Sequence, residues 1–514
     1  MKTNRLLPPL AFLLFFASLY AHGEVRLPKI LSSHMVLQRE RPIHLWGWAD
    51  PGEQVSASMH GATASAKADD LGHWSLYLPP EQAGGPYTLT IKSDNGANNS
   101  LDDVLIGDVW FASGQSNMEL PLAGYPGSAT LQNGAEEIRN ASQPSLRLLH
   151  VALKASPYPL QDIETTPANS SGWTLCTPET ATSFSAAAYF FGREIAAKEH
   201  VPIGLIDSSW GGTPAEAWTS MDSLGADASL MPVFAEWAYK SRDHEDFPAI
   251  TAAEKREDAA AQAANQPAPH HSFHPNLDSW APAWLYNGMV APVVNYPIKG
   301  VIWYQGESNS DNRRASMYER LFPAMIEDWR KQWREGDFPF LFVQLANFKS
   351  TPQETWAIIR EAQRRTLALA NTAMAVTIDI GNPDNVHPSD KQDVGTRLAL
   401  AARAIAYGEH VEDAGPIYRQ TSIDGSSLRV WFDHAEGLNT KGDPLSGFQV
   451  AGEDGKFVTA NAQIDGQSIQ VSSSSVKEPK YVRYGWENSP VLHLYNGAGL
   501  PASPFTSEKD IPKP

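Results

Sequence analysis

Between about residue 104 and residue 410, short apolar runs with strand character alternate with stretches of helical periodicity. The runs are Val109-Trp110-Phe111-Ala112, Ile203-Gly204-Leu205-Ile206, Gly300-Val301-Ile302-Trp303-Tyr304, Phe340-Leu341-Phe342-Val343 and Ala375-Val376-Thr377-Ile378. The helical stretches cover residues 186–198, 318–333 and 355–370. Strands apolar on both faces need cover on both sides, and intervening helices supply the crossovers. The pattern therefore predicts a parallel sheet between two helical layers. Such sheets place their sites beyond the carboxyl ends of the strands.

The flanks read differently. Residues 24–103 carry β-forming segments such as Ile43-His44-Leu45-Trp46-Gly47-Trp48 and Tyr87-Thr88-Leu89-Thr90-Ile91, separated by Asp50-Pro51-Gly52 and Asp94-Asn95-Gly96. Short strands at this spacing predict a small sandwich. Residues 413–514 are β-like again, as in Leu428-Arg429-Val430-Trp431-Phe432 and Ser468-Ile469-Gln470-Val471. The central unit, residues 104–412, is interrupted at about 220–280, where residues 252–264 read as an exposed helix leading into a Pro/His loop. At 514 residues the chain exceeds one compact core, in line with this division.

Lys2 and Arg5 precede an apolar run over residues 6–20, followed by the small-residue segment Ala21-His22-Gly23. This is the pattern of a signal peptide over residues 1–23, and it predicts a secreted or periplasmic protein. No later run is long enough to cross a bilayer, so no membrane partner is expected. Cys176 is the only cysteine, which excludes an internal disulfide framework. The net charge of −18, with no basic run interleaved with aromatics, argues against nucleic acid as a partner. Sixteen Trp residues offer flat surfaces for sugar rings, or packing between domains.

Four segments at strand ends carry chemistry. Gly114-Gln115-Ser116-Asn117-Met118 follows the first strand of the α/β unit, where a glycine turn either presents the Ser116 hydroxyl or lets it cap a helix. Met118 replaces the second glycine of the G-x-S-x-G elbow, which argues against an α/β-hydrolase. Asp384-Asn385-Val386-His387-Pro388 follows the last core strand, and an Asp and a His three residues apart on a turn are suited to a base with its orienting acid. In Trp210-Gly211-Gly212-Thr213-Pro214 the glycine N–H groups are candidate oxyanion donors. In Tyr304-Gln305-Gly306-Glu307-Ser308-Asn309 the amides of Gln305 and Asn309 are candidates for the same task, and Glu307 is either catalytic or a buried structural carboxylate. His270, His271 and His274 lie close in sequence but lack the spacing of a metal site. There is no phosphate loop and no dinucleotide fingerprint.

Together with Gly107-Asp108-Val109-Trp110, Glu216-Ala217-Trp218, Leu285-Tyr286-Asn287-Gly288-Met289, Leu494-Tyr495-Asn496 and the segment from Gly499 to Phe505, these motifs resemble the sialate O-acetylesterase family of the SGNH hydrolase superfamily. The resemblance spans nearly the whole chain after residue 23. It implies an SGNH-type three-layer α/β/α domain with a parallel sheet, flanked by N- and C-terminal β-sandwich modules. It also implies hydrolysis of O-acetyl groups from sialic acids, with no metal or organic cofactor. The family's nucleophile maps onto Ser116, its histidine onto His387 and its acid onto Asp384. Its oxyanion donors map onto the Ser116 N–H, a glycine N–H (Gly212, with Gly211 the alternative) and an amide. Gln305 sits nearer the strand end, and Asn309 is the closer chemical match. An anionic sugar predicts a cation in the cleft, for which Arg360 is the candidate. Another acetylated glycan such as acetyl xylan is the alternative substrate, and a non-catalytic glycan-binding protein the alternative class.

Overall fold

The computed structural model describes residues 25–513 apart from 167–171, 244–246, 265, 267–268, 270–276 and 352. Residues 1–23, the expected signal peptide, and the three histidines 270, 271 and 274 lie outside the described residues. The fold is α/β, with a mostly parallel central sheet and additional antiparallel sheets. Across the central sheet the strands run Thr372–Val376, Phe340–Gln344, Gly300–Tyr304, Asn98–Gly114, Ile203–Ser209, Gln143–His150 and Thr174–Cys176. All neighbours are parallel except the last pair.

Asn98–Gly114, 17 residues long, organises the molecule. Its first six residues alternate between exposed and half-buried and pair antiparallel with Gly84–Ser93. From Val104 every residue is buried: Leu105 to Gly107 pair parallel with Val36–Gln38, and from Asp108 the strand lies inside the central parallel sheet. The change in sequence character near Val104 is this change of environment. The expected boundary between residues 103 and 104 therefore falls within one continuous strand. Trp110 and Phe111, adjacent on it, point to opposite faces. Trp110 meets Phe191 of the helix Ala186–Glu199 edge-on, with ring centroids 4.9 Å apart. Phe111 packs against Trp329 and Trp333 of the helix Tyr318–Trp333, at 5.6 and 5.4 Å. Two consecutive aromatics thus clamp a helical layer on each side of the sheet.

Of the sixteen tryptophans, Trp110, Trp173, Trp218, Trp303 and Trp329 are completely buried, so much of the tryptophan content is core packing. Replacing such a ring by alanine costs roughly 3–5 kcal/mol. The strand expected over residues 375–378 ends at Val376, and the helix expected over 355–370 spans Trp356–Thr366. Gln143–His150, interrupted by Pro144, lacks an apolar run, and its membership of the sheet was not legible. The C-terminal region forms two four-stranded antiparallel sheets. Among the described residues no helix is long and apolar enough to cross a membrane.

Three strands end level. Ser209 pairs with Gly114, and Gly114 with Tyr304. Gly114 has φ +141°, and a Cβ there would lie 2.1 Å from the Tyr304 carbonyl oxygen. We expect Gly114→Ala to force the central strands apart and cost on the order of 3 kcal/mol or more. Thermal unfolding of the variant should show a Tm lower by at least about 5 °C.

Candidate active site

The turn after Gly114 is fixed from both sides. Gln115 N–H donates to Tyr304 O at 3.0 Å, and Trp210 N–H donates to Gly114 O at 3.0 Å. Gln115 is extended and Ser116 opens a one-turn helix, Ser116–Glu119. In the first turn of a helix the backbone N–H has no intrahelical acceptor. The position therefore presents both a hydroxyl and an N–H at the sheet's carboxyl end.

His387 arrives from the loop after the last central strand. Its Nε2 lies 2.9 Å from Ser116 Oγ, the distance of a hydroxyl donating to a neutral imidazole. Burial, and secondarily the positive charge of Lys391, pushes the His387 pKa down to about 4. The ring is therefore neutral at pH 7 and able to accept a proton. Tyr125 meets it edge-on at 5.5 Å. The loop is pinned by His387 N–H donating to Asn385 Oδ1 at 2.9 Å, and by Asn385 Nδ2 donating to Ser128 O at 2.8 Å.

Asp384 does not orient this imidazole in the structure. Its carboxylate is 80 % exposed and pairs with Lys349 Nζ at 3.1 Å, while Asn382 Oδ1 accepts from its backbone N–H. The turn from Asn382 to Asn385 directs the Asp384 side chain outward, into solvent and toward Lys349. What holds the loop beneath His387 is a different set of residues. Asn117 Nδ2 donates to Val386 O at 2.9 Å and to Glu307 Oε1 at 2.6 Å, and Lys391 Nζ donates to Asn117 Oδ1 at 2.6 Å. Burial raises the Glu307 pKa and lowers that of Lys391 to about 7. Glu307 thus serves as the buried partner of Asn117 as well as lining the cleft.

Sequence reasoning missed Glu119, three residues after Ser116 on the same helical face. Its Oε2 accepts from Gly211 N–H at 2.6 Å and from the Tyr125 hydroxyl at 3.2 Å. Burial raises its pKa against those hydrogen bonds. Gly211 N–H is thus committed, whereas Gly212, at φ +71°, lines the cleft and uses its carbonyl to accept from Trp280 Nε1 at 2.6 Å.

The two amides expected at the oxyanion are engaged elsewhere. Gln305 Nε2 donates to Asn309 Oδ1 at 2.7 Å and to Thr213 O at 3.2 Å, and its Oε1 accepts from the Tyr318 hydroxyl. Asn309 Nδ2 donates to Glu216 Oε2 at 2.8 Å, and Glu216 pairs with Arg314 at 2.8 Å. Both amides are buried in this network and neither lines the cleft. The amide that does line it is Gln115, whose Oε1 accepts from Ser308 N–H at 3.1 Å. Its place directly before the serine is the sequence signal that marks it.

Arg360 is likewise corrected. It is completely buried and donates to the carbonyls of Leu345, Ala346, Glu487 and Asn488 at 2.7–2.8 Å. Burial lowers its pKa to about 9. Its role is to bolt the C-terminal loop at 487–488 to the segment leading to Phe348, a cleft-wall residue. The cleft itself has a volume of about 770 Å³, within the range of small-ligand sites. Its walls carry Trp280, Phe348 and Trp356, the acids Glu119, Glu307, Asp311 and Glu354, and one cation, Lys240. Among the described residues, Glu412, Asp413 and His434 are close enough to share a metal ion, but none of them lines the cleft.

Residues 275–404 match the family model described as carbohydrate esterase, sialic acid-specific acetylesterase. Human sialate O-acetylesterase is 31% identical over 527 residues, covering 93% of this chain and 92% of that one. The mouse sialate O-acetylesterase is 29% identical, covering 94% of each. Among solved structures, a carbohydrate acetylesterase from Xanthomonas citri superposes with a TM-score of 0.80 at 38% identity, over 94% of this chain and 100% of that one. The chain is therefore an esterase and belongs to the sialate O-acetylesterase family.

Proposed function

We propose that this esterase removes O-acetyl groups from sialic acids through an acetyl-enzyme formed on Ser116. The observation that carries the reading is the 2.9 Å contact between Ser116 Oγ and a neutral His387 at the floor of an aromatic-walled cleft. His387 Nε2 takes the hydroxyl proton as Oγ bonds to the acetyl carbon. The carbonyl oxygen becomes an oxyanion within reach of the Ser116 and Gly212 N–H groups and the Gln115 amide. Collapse breaks the bond to the sugar oxygen, which leaves with the proton from His387. Water then repeats the sequence and releases acetate. The SGNH-type assignment rests on the same features: the serine after the first α/β strand, and the histidine after the last. Asp384 is the family's acid by position, and it enters this scheme only by leaving Lys349 for His387 Nδ1.

Ser116→Ala should fold as the parent and lose hydrolysis of an aryl acetate by at least about a thousandfold. His387→Ala should lose comparably, and Asp384→Asn distinctly less, because the structure gives that carboxylate to solvent. Steady-state kinetics with circular dichroism as the folding control measures all three.

The base must be unprotonated to act, and burial holds its pKa below the ordinary histidine value. As pH falls, kcat/KM should therefore hold through pH 6 and reach half its plateau near pH 4. An acid limb centred at the ordinary histidine pKa would show that a carboxylate has reached Nδ1.

Lys240 is the cleft's one cationic side chain among the described residues. It stands 4.7 Å over the Trp280 ring and 4.0 Å from Asp311. It is the partner we assign to a sialic acid carboxylate. Asp311 already stands beside that cation, which favours a second reading, a neutral acetylated glycan. Acetate release from O-acetylated sialic acid and from acetyl xylan separates the two. On the first reading, Lys240→Ala raises KM for the sialic acid ester about tenfold and leaves the aryl acetate unaffected. Faster release from acetyl xylan, indifferent to Lys240, establishes the second.

A further inference from the structure

A second cleft, of about 520 Å³, lies against the N-terminal β region and shares no lining residue with the first. One wall is the antiparallel ribbon formed by Ile43–Trp48 and His73–Leu78. Ile43, Leu45, Trp74, Leu76 and Leu78 face the core. The opposite face carries the cross-strand pairs His44/Tyr77, Trp46/Ser75 and Trp48/His73. The solvent side of such a ribbon is ordinarily polar. Here five of its six side chains are aromatic rings or imidazoles.

These rings are held in place. His44 stacks on Tyr77 at 4.5 Å with 10° between planes, and on Trp46 at 4.9 Å. Its Nδ1 lies 2.9 Å from Asn295 O, and its Nε2 lies 2.9 Å from Ser75 Oγ. The carbonyl can only accept, so Nδ1–H donates to it; burial lowers the ring's pKa, which favours the neutral form with Nε2 accepting from the hydroxyl. Arg26 covers the Trp48 ring at 4.3 Å. Tyr77 nevertheless remains 59% exposed, so the face opens to solvent there, while Trp46 beside it is buried. The facing wall brings Gln161, Pro292 and Asn295. No carboxylate, lysine or arginine side chain is among the lining residues, although the chain carries a net charge of −18.

Charge stands only behind the lining, with Arg26 against Trp48 and Asp69 3.6 Å from His73. A cleft lined by fixed aromatic planes and amide edges matches the chemistry of a neutral sugar ring, whose C–H face stacks and whose hydroxyls bond to amides. We propose that this cleft is a second saccharide site, holding an uncharged sugar unit of a glycan apart from the ester being cleaved. The proposal rests on the reading of the chain as a glycan-directed enzyme. It concerns binding, so it is tested without turnover.

The probes are unacetylated xylohexaose and cellohexaose, titrated calorimetrically into the full chain, with the Tyr77→Ala, Tyr77→Phe and Trp356→Ala variants. At least one oligosaccharide should bind with Kd in the millimolar range or tighter. Tyr77→Ala should weaken it at least fivefold, while Tyr77→Phe and Trp356→Ala bind as the parent. Aryl acetate hydrolysis by Tyr77→Ala should stay within twofold of the parent, which also reports that it folds. Binding of neither oligosaccharide overturns the proposal, as does binding unchanged by Tyr77→Ala or lost with Trp356→Ala. Saccharide binding lost with Tyr77→Ala in an enzyme that releases no acetate from any glycan upholds this site and refutes the proposed function.

Discussion

The contact between Gly114 and the Tyr304 carbonyl holds this molecule's chemistry together. Two parallel strands end side by side so closely that no side chain fits between them. The turn that follows takes its hydrogen bonds from the neighbouring strand ends at Tyr304 and Trp210. Three loops are thereby brought to one level above the sheet. One carries Ser116, one Gly211 and Gly212, and one Glu307 and Ser308, and all of these line the same cleft. The helical layers clamped by Trp110 and Phe111 keep those strand ends in register. The packed sheet thus places the serine, and the hydrogen bonds of the histidine loop bring His387 to it.

Burial shifts the proton affinity of the groups around that contact. The imidazole is kept neutral, the ammonium of Lys391 is pushed down to about 7, and the carboxylates of Glu119 and Glu307 are raised. Asn117 links this set, accepting from Lys391 and donating both to Glu307 and to the backbone beneath His387. The histidine loop is thereby positioned through an amide and a carbonyl, while Asp384 stands in water. Arg360 shows the same logic in a different place. A fully buried guanidinium without a carboxylate is tolerable because four carbonyls take four of its five N–H donors and reach all three nitrogens, and it ties the C-terminal region to the cleft wall.

The tryptophans divide along similar lines. Trp218, Trp303 and Trp329 pack edge to face in the core. Trp280 and Trp356, though largely buried, also line the catalytic cleft, and Trp46 and Trp48 the second one, while Trp74 of the same ribbon faces the core. Composition alone could not separate these uses, since a buried indole and a sugar platform are the same residue in different surroundings.

The sequence by itself determined the alternation of apolar strands and helices, the turn that carries Ser116, and the histidine loop after the last strand. These are local properties: unbroken apolar runs, helical periodicity, and a glycine that permits a tight turn. Only the tertiary structure decided which polar groups face the cleft. Gln305, Asn309 and Arg360 carry the right chemistry, yet they are consumed by partners from distant segments. Gln115, Glu119 and Lys240 became cleft residues because loops far apart in the chain meet at the strand ends. Hydrogen-bond saturation is set by neighbours in space, and a sequence records neighbours only along the chain.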